Sequence, residues 1–223
     1  MTDRQYGVFT ILIGLVCGYA AVRRILSPAS LTLPSALIQG ALVGFGFAIV
    51  TIEILARLKA TRVNGWVTAY GTGLPSNGMF TRAAHARLFP GPVNIPQEAI
   101  YWRTSTDGAG HTLSGAHDYV LHFPPGGLPP AEAFWSLTMA DAKERFVDNP
   151  LGRYMVSDRS GLVPNPDGSV DIVIGRTAPA GRESNWLPAP PGPFRLWLRA
   201  YVPGPTLLDR TYTVPPVVEV PAA

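Results

Sequence analysis

Three histidines lie close together in the sequence and are the first residues to consider for chemistry, because imidazole is a common metal ligand. They are His111, His117 and His122. His117 and His122 are five residues apart, so on one strand they point to opposite faces of a sheet. The sequence holds no H-x-H pair and no H-E-x-x-H motif. We therefore expect no metal site and interpret each histidine as a hydrogen-bonded structural residue.

The motifs that mark common enzyme classes are absent from the sequence. There is no G-x-S-x-G nucleophile elbow, no phosphate-binding G-x-x-x-x-G-K-[ST] and no dinucleotide fingerprint after a strand. The single cysteine, Cys17, lies in an apolar segment where it cannot act as a catalytic thiolate. The sequence therefore predicts no catalytic residue and no cofactor, and it leans against an enzyme.

A set of polar residues among aromatic ones is the remaining candidate for a binding cleft. Asp158 and Glu183 could act as a general acid and base if they met. Arg159 or Arg199 could hold a carboxylate ligand through two parallel hydrogen bonds. The alternative is that these groups satisfy loop backbone, as polar residues beside proline and glycine often do. The candidate cleft comprises Trp135, Asp158, Arg159, Glu183, Asn185, Trp186 and Arg199.

The elements that must position these residues are short strands. Apolar and β-branched runs bounded by Gly, Pro, Asn and Asp predict strands with turns between them. The predicted strands are 99–104, 116–123, 133–139, 169–175 and 194–202. Five or more short strands predict a mainly β domain over 98–223, an antiparallel sandwich or jelly roll. We expect the proline-rich tail from Pro203 to drape over this domain.

A lead-in over residues 63–97 precedes the β domain. Its glycine-rich loop is followed by a helical pattern at 79–89, which a Pro-Gly-Pro sequence ends. We expect Phe80, Ala84 and Leu88 to face inward, and His85 to lie at the surface or half-buried.

Residues 1–62 are predicted to form a transmembrane helical hairpin. Residues 6–22 carry no charge, and residues 35–55 carry only Glu53. At about 1.5 Å per residue the second segment crosses a ~30 Å hydrocarbon core, and the first does so when its flanking residues snorkel. A cleaved signal peptide is the alternative for the first segment, but Arg23 and Arg24 stand where a cleavage site is expected.

Both predicted spans carry glycines four residues apart, Gly14 with Gly18 and Gly40 with Gly44. This spacing makes a flat strip on which two helices approach closely in lipid. Two interpretations follow. Either the spans pack on each other, or they dock onto another integral membrane protein or a second copy of this chain.

The positive charge of the chain is concentrated at this end. Residues 1–62 hold six basic and two acidic residues, a net charge of +4. The rest of the chain holds 12 basic and 13 acidic residues, a net charge of −1, which argues against nucleic-acid binding. The basic residues that flank the spans favour cytoplasmic termini by a small margin.

Six strings in the β domain resemble, in the same order, the domain of unknown function 1214 family. The resemblance covers roughly residues 98–217 and departs at Ala140, where the family usually has tyrosine. It implies a β-sandwich of jelly-roll type with no established catalytic residues. It also implies an N-terminal signal or anchor, with the domain outside a bacterial cytoplasmic membrane. The strings are FPPGGLPP (123–130), AFWSLTM (133–139), NPLGRY (149–154), DR (158–159), NPDGS (165–169) and ESNWLPAP (183–190).

Two functional hypotheses result. The first is a non-catalytic accessory or interaction subunit of a bacterial membrane complex, integral to the inner membrane with its soluble domain in the periplasm. The periplasmic side follows from the resemblance, since long domains are translocated despite flanking charges. The second hypothesis is a small-ligand-binding protein or hydrolase-type enzyme that uses the candidate cleft.

Overall fold

The structure is a computed structural model that describes residues 3–26, 32–149 and 151–220. The chain forms two compact units. The helical unit comprises residues 1–60 and 75–92, and the sandwich unit comprises residues 61–74 and 93–223. This division differs from the predicted one, because the start of the lead-in belongs with the strands and its helix belongs with the N-terminal helices.

Two long helices and one short helix make up the described part of the helical unit. They are α1 (Asp3–Ile25), α2 (Leu33–Lys59) and α3 (Met79–Leu88). α2 has a proline in its first turn, where a backbone N–H would have no helical partner. Its 27 residues span about 40 Å at 1.5 Å per residue. Within the described residues, α2 is the one helix that is long and apolar enough to cross a membrane.

α1 and α2 pack against each other and come close at Gly14 and Gly46. A Cβ atom on Gly14 would lie 2.6 Å from Val50 Cγ2 and 3.2 Å from the Gly46 carbonyl oxygen. The connection between the helices, residues 27–31, lies outside the described residues. The transmembrane hairpin therefore stays a prediction.

α3 confirms the helix predicted at 79–89 but corrects the position expected for His85. This side chain is buried with 3% of its surface exposed, because it lies three residues before Leu88 and shares the packed face with Leu88 and Ala84. An ion pair also joins this helix to α2, with Arg87 Nε 2.7 Å from Glu53 Oε1.

The sandwich unit contains ten strands among its described residues. In chain order they are β1 (Thr61–Val63), β2 (Trp66–Thr68), β3 (Ala99–Thr104), β4 (Asp118–Phe123), β5 (Ala131–Asp141), β6 (Met155–Ser157), β7 (Val170–Gly175), β8 (Trp186–Pro188), β9 (Phe194–Pro203) and β10 (Val217–Val220). A 3₁₀ turn, Glu183–Asn185, precedes β8, and a short helix, α4 (Pro205–Leu208), follows β9. The five predicted strands correspond to β3, β4, β5, β7 and β9, and the prediction missed the others.

The strands form two sheets. The larger has the order β1-β2-β3-β9-β5-β6 and is antiparallel throughout. The smaller has the order β10-β4-β7-β8. Its β7 and β8 are parallel, since the intervening residues return the chain to the end where β7 began. The antiparallel expectation is therefore wrong for this one pair, and the structure supports a mainly β sandwich with a mixed smaller sheet.

The core lies between the two sheets and draws on both. Leu121 and Ile172 of the smaller sheet and Leu137 of the larger one are fully buried in one apolar cluster. On β9, every second residue from Phe194 to Ala200 joins the same cluster, which confirms the alternation predicted for that strand. The tail forms an edge strand, β10, which pairs with β4.

Candidate functional site

A β-hairpin that the sequence analysis missed starts the candidate site. β1 and β2 are joined by Asn64 and Gly65, both with positive φ (52° and 83°), the conformation of a tight hairpin turn. Asn64 Nδ2 donates to the Val214 carbonyl at 3.0 Å, and Trp66 Nε1 donates to the Pro215 carbonyl at 2.8 Å. The hairpin is thereby fastened to the C-terminal segment.

The hairpin and this segment enclose a cavity of about 250 Å³. Four aromatic side chains form much of its wall, and Trp102 meets Tyr212 edge to face with 6.4 Å between ring centroids. A wall of this kind suits a flat apolar ring. The cavity is lined by Thr61, Val63, Trp66, Thr68, Tyr70, Trp102, Arg210, Tyr212, Thr213 and Val214.

Arg210 supplies the one charge among these lining residues. Its guanidinium lies over the Tyr70 ring at 4.7 Å from the centroid, and within the described residues it donates no hydrogen bond. Burial raises the pKa of the Tyr70 and Tyr212 phenols, partly offset at Tyr70 by the Arg210 charge, so both phenols are neutral. The backbone of Arg210 is left-handed with φ 68°, a strained conformation of the kind that occurs at binding sites.

Thr68 lies on the same wall and has an unusual hydroxyl. The residue is 4% exposed, and its Oγ1 is buried with no hydrogen-bond partner in the part of the chain that the structure describes. A buried hydroxyl without a partner destabilises a fold by about 1–3 kcal/mol.

The buried residues of the predicted cleft have structural contacts and do not line this cavity. Trp135 is part of the core and packs against Phe123 at 5.8 Å between ring centroids. Asn185 is fully buried, accepts a hydrogen bond from the Val163 N–H and donates to the Val163 and Asp171 carbonyls. Trp186 Nε1 donates to the Gly175 carbonyl at 2.9 Å.

The charged residues of the predicted cleft are spread over the sandwich. Arg159 follows β6 beside the exposed Asp158, and it donates to the Ala133 carbonyl at 2.8 Å. Glu183 is exposed in the 3₁₀ turn and accepts a hydrogen bond from the Gly181 N–H. Its own backbone amide and that of Gly181 lower the pKa of Glu183. Among the described residues no hydrogen bond or ion pair joins Asp158 to Glu183.

Arg199, the last of the predicted set, lies on the outer face of the larger sheet. Its Nη1 donates to Thr138 Oγ1 at 2.9 Å, and its guanidinium lies 5.3 Å from the Trp197 ring centroid. Burial lowers the pKa of this guanidinium. The cavity residues were missed because the hairpin was interpreted as a lead-in loop, although its Asn-Gly pair is the strongest short-range hairpin signal.

The glycines of the two predicted strips have different surroundings in the structure. A Cβ atom on Gly14 would collide with α2, as described above. A Cβ atom on Gly18, Gly40 or Gly44 would meet no atom within 4 Å in the described structure. These three positions therefore remain open on the helical unit.

Two comparisons with known proteins gave matches, one to a family model and one to solved structures. The model of the family described as protein of unknown function (DUF1214) matches residues 98–205, which confirms the resemblance found in the sequence. The crystal structure of the VPA0106 protein from Vibrio parahaemolyticus is 23% identical, with a TM-score of 0.62, over 86% of this chain and 47% of that chain. This likeness shows a shared fold.

A second solved structure, of an uncharacterised protein from Burkholderia cenocepacia, is 18% identical with a TM-score of 0.41, over 96% of this chain and 50% of that chain. The chain thus spans about half the length of the solved structures it matches. No curated protein matches it.

Proposed function

We propose that this chain, whose residues 98–205 match the model of the DUF1214 family of proteins of unknown function, is a membrane-anchored β-sandwich protein that binds a small aromatic carboxylate in its cavity. One observation carries the proposal: the Arg210 guanidinium is the one charge in a cavity walled by four aromatic side chains, and within the described residues it donates no hydrogen bond.

The cavity chemistry supports this class of ligand. Neutral Tyr and Trp rings favour a flat ring placed edge-on or offset to them. The Arg210 guanidinium favours a carboxylate, which it can bind through two parallel hydrogen bonds. A volume of about 250 Å³ is just below the ~300–1,000 Å³ of most small-molecule sites, so the ligand is expected to hold one or two rings.

The residues that line the cavity are better suited to binding a ligand than to catalysing a reaction. Among them there is no carboxylate, histidine or cysteine, so no side chain there is suited to act as a general base near neutral pH. The hydrolase-type alternative would need residues from outside the cavity.

The anchoring part of the proposal places α2, with α1 beside it, across a bacterial inner membrane and the sandwich unit on the periplasmic side. It is supported by the length of α2 and by large apolar side chains that are exposed along it, such as Leu37 (66%), Ile38 (62%) and Phe45 (68%). Side chains of this kind are stable in lipid and unfavourable in water. The jelly-roll type predicted for the sandwich stays a prediction.

The membrane side can be tested with C-terminal reporter fusions. An alkaline phosphatase fusion is active only outside the cytoplasm, and a β-galactosidase fusion only inside it. We expect activity from the phosphatase fusion alone. Activity from the β-galactosidase fusion alone would place the sandwich unit in the cytoplasm and contradict this part of the proposal.

Ligand binding can be tested by calorimetry on the full chain in detergent, with indole-3-carboxylate and neutral indole as probes. We expect the acid to bind at least tenfold more tightly than indole. Arg210→Ala should remove most of that difference, because it removes the charge.

Arg176→Ala is the matched control, since Arg176 is an exposed arginine of the same unit outside the cavity. If neither probe bound, or if the control variant and Arg210→Ala weakened binding equally, the cavity would not be the binding site.

An accessory-subunit role is the second candidate function. The observation that favours it is that Gly18 on α1 and Gly40 and Gly44 on α2 have open space around them, so a partner helix could approach either helix closely. The partner would be another integral membrane protein or a second copy of this chain.

Co-purification in mild detergent separates these possibilities. Replacing Gly18, Gly40 and Gly44 together by leucine should release a stoichiometric partner, while the tryptophan emission of the sandwich unit stays unchanged. Gly14→Leu is the comparison variant, because it should disturb the packing of α1 on α2 instead. A partner retained by the triple variant would rule out docking through these glycines.

A further inference from the structure

Four side chains that can bind metal come together at one end of the sandwich unit. Asp107 and His111 follow β3, His117 lies just before β4, and Glu219 lies on β10. One ligand atom each from Asp107, His111 and Glu219 lies within 4.8 Å of the other two. Histidine and carboxylate side chains are ligands that Zn²⁺ and similar first-row cations take in proteins.

The turn after β3 presents two of these ligands together. The Asp107 N–H donates to the His111 carbonyl at 2.8 Å, and the His111 N–H donates to Asp107 Oδ1 at 2.7 Å. Asp107 Oδ2 is left to face the imidazole. The Asp107 side chain is 5% exposed and the His111 side chain is 76% exposed. The carboxylate is therefore held in place by its surroundings, whereas the imidazole has room to rotate toward an ion.

The C-terminal strand brings the third ligand to this turn. The Gly108 N–H donates to the Val217 carbonyl at 2.8 Å, and a Cβ atom on Gly108 would lie 2.7 Å from Pro216 Cβ. Only glycine therefore lets the turn approach the strand so closely. Glu219 lies opposite the buried Tyr119 on β4, which directs its side chain to the core-facing side of an edge strand.

The spacing of the first pair fits a shared ion. His111 Nδ1 and Asp107 Oδ2 are 3.3 Å apart, slightly beyond the usual 2.7–3.2 Å of an N–H···O hydrogen bond. Two ligands at about 2.0–2.1 Å from a tetrahedral Zn²⁺ ion are separated by about 3.3–3.4 Å. The two side chains thus already stand at the distance that a common ion requires.

We propose that Asp107, His111 and Glu219 form a binding site for a divalent first-row transition metal, with Zn²⁺ as the expected ion. His117 is a positioning residue: its Nδ1 lies 2.8 Å from Glu219 Oε1 and holds that carboxylate, as outer partners of metal ligands commonly do. The three ligands line an open groove of about 550 Å³, which leaves the fourth coordination position to water. The ion would tie β10 to the turn after β3.

Two ordinary contacts are the competing explanation. Asp107 could serve only to close its turn, and Glu219 could form only a surface ion pair with His117. Neither contact would select a transition metal, so metal titration distinguishes the two explanations.

The experiment uses the untagged full chain in detergent, treated with EDTA and then titrated with ZnCl₂ by calorimetry. We expect one Zn²⁺ per chain and a higher midpoint of thermal unfolding, since a ligand that binds only the folded state stabilises it. Mg²⁺ should have no such effect, because it prefers octahedral oxygen ligands and retains its waters. Co²⁺ should give the visible absorption of a tetrahedral site.

Single variants locate the site. His111→Ala and Glu219→Gln should each weaken Zn²⁺ binding at least tenfold, and His117→Ala about tenfold, while His117→Gln should restore most of the affinity. His122→Ala is the matched control. His122 pairs with Asp171 at 2.6 Å on the same sheet, and we expect its loss to leave Zn²⁺ binding unchanged.

Unfolding midpoints in EDTA show whether each variant is folded. Three results would overturn the proposal: no heat of binding at millimolar Zn²⁺, equal losses in His111→Ala and His122→Ala, or Co²⁺ bound without tetrahedral absorption. The Co²⁺ spectrum needs no variant, so a variant that fails to fold does not weaken the test.

Discussion

The helical unit and the sandwich unit use the same apolar residue types in opposite ways. Leu37, Ile38 and Phe45 on α2 are each more than 60% exposed, whereas Leu121 and Leu198 in the sandwich are fully buried. A buried leucine is stable in the sandwich core. An exposed leucine on α2 is favourable only where that face of the helix contacts lipid or another helix. The comparison teaches that the sandwich unit encloses its apolar side chains in a core, whereas α2 leaves large apolar side chains exposed, as the proposed membrane anchor requires.

The two units also differ in how they treat buried polar groups. In the sandwich, Asn185 is fully buried and its amide is satisfied by backbone partners. In the helical unit, both ring nitrogens of the buried His85 lack a partner among the described residues. Unpartnered buried groups destabilise a fold. Among the described residues the helical unit has three such side-chain atoms, the two nitrogens of His85 and Gln39 Oε1, whereas the sandwich unit has one, Thr68 Oγ1.

The largest expected effect comes from making one substitution in both units. Leu198→Ala should destabilise the sandwich by about 3–4 kcal/mol, because it leaves a cavity in a closed core. Leu42→Ala, at a side chain that is 48% exposed on α2, should change that stability by less than about 0.5 kcal/mol.

Tryptophan emission measures this difference directly, since all five tryptophans lie in the sandwich unit. Urea unfolding of the full chain in detergent would give the free energies of unfolding. Equal losses for the two variants would contradict the expected difference between a closed core and an exposed helix face.

The next effect tests whether Asn185 acts in structure or in binding. Asn185→Ala leaves the Val163 N–H and C=O and the Asp171 C=O without their partner, so we expect a loss of about 3 kcal/mol of sandwich stability. Glu183→Ala, two residues away and exposed, is the control and should change stability little. If Asn185→Ala kept its stability but no longer bound a carboxylate ligand, the result would instead support the predicted cleft as a binding site.

The ion pair in the helical unit should have a smaller effect. Glu53→Gln leaves the partly buried Arg87 without its carboxylate, and we expect α3 to lose about 2 kcal/mol of protection, less than for a fully buried pair. Hydrogen exchange of α3 amides measures this loss. Arg57→Gln, at an exposed arginine of α2, should leave exchange unchanged, and equal exchange in the two variants would show that the pair contributes nothing.

The smallest effect is a pH dependence confined to the helical unit. Burial, and then the Lys59 charge, lower the pKa of His85. Its pKa in the folded chain is therefore below the unfolded value of about 6.5, so the unfolded state binds the proton more readily. The contribution to stability is present above about pH 6.5 and is lost as the pH falls below it.

His85→Leu should remove this dependence. The ratio of wild-type to variant hydrogen exchange in α3 at each pH cancels the intrinsic effect of pH. We expect this ratio to rise as the pH is lowered from 7.5 to 5.5. A constant ratio would show that His85 binds the proton without opening α3.

The spacing of apolar residues along the chain was enough to predict strands in which apolar and polar residues alternate, and a helix in which apolar residues recur every three or four positions. The strand at 99–104 was confirmed with its bounds, and β9 was confirmed together with its buried face. The pattern of short strands and turns predicted the mainly β class, and the family resemblance agreed with it. The helix at 79–89 was also confirmed, but the face that buries His85 was not predicted, because that depends on its packing against α2.

The sequence by itself therefore determined residue periodicity, charge distribution, the apolar N-terminal segments and the match of residues 98–205 to the DUF1214 family. Only the tertiary structure decided which residues meet. Arg210 and Thr68 line one cavity because the β1–β2 hairpin is fastened to the C-terminal segment, and Glu219 lies near Asp107 because β10 pairs with β4. The physical reason is that periodicity is fixed by neighbours along the chain, whereas strand pairing joins residues that are far apart in sequence.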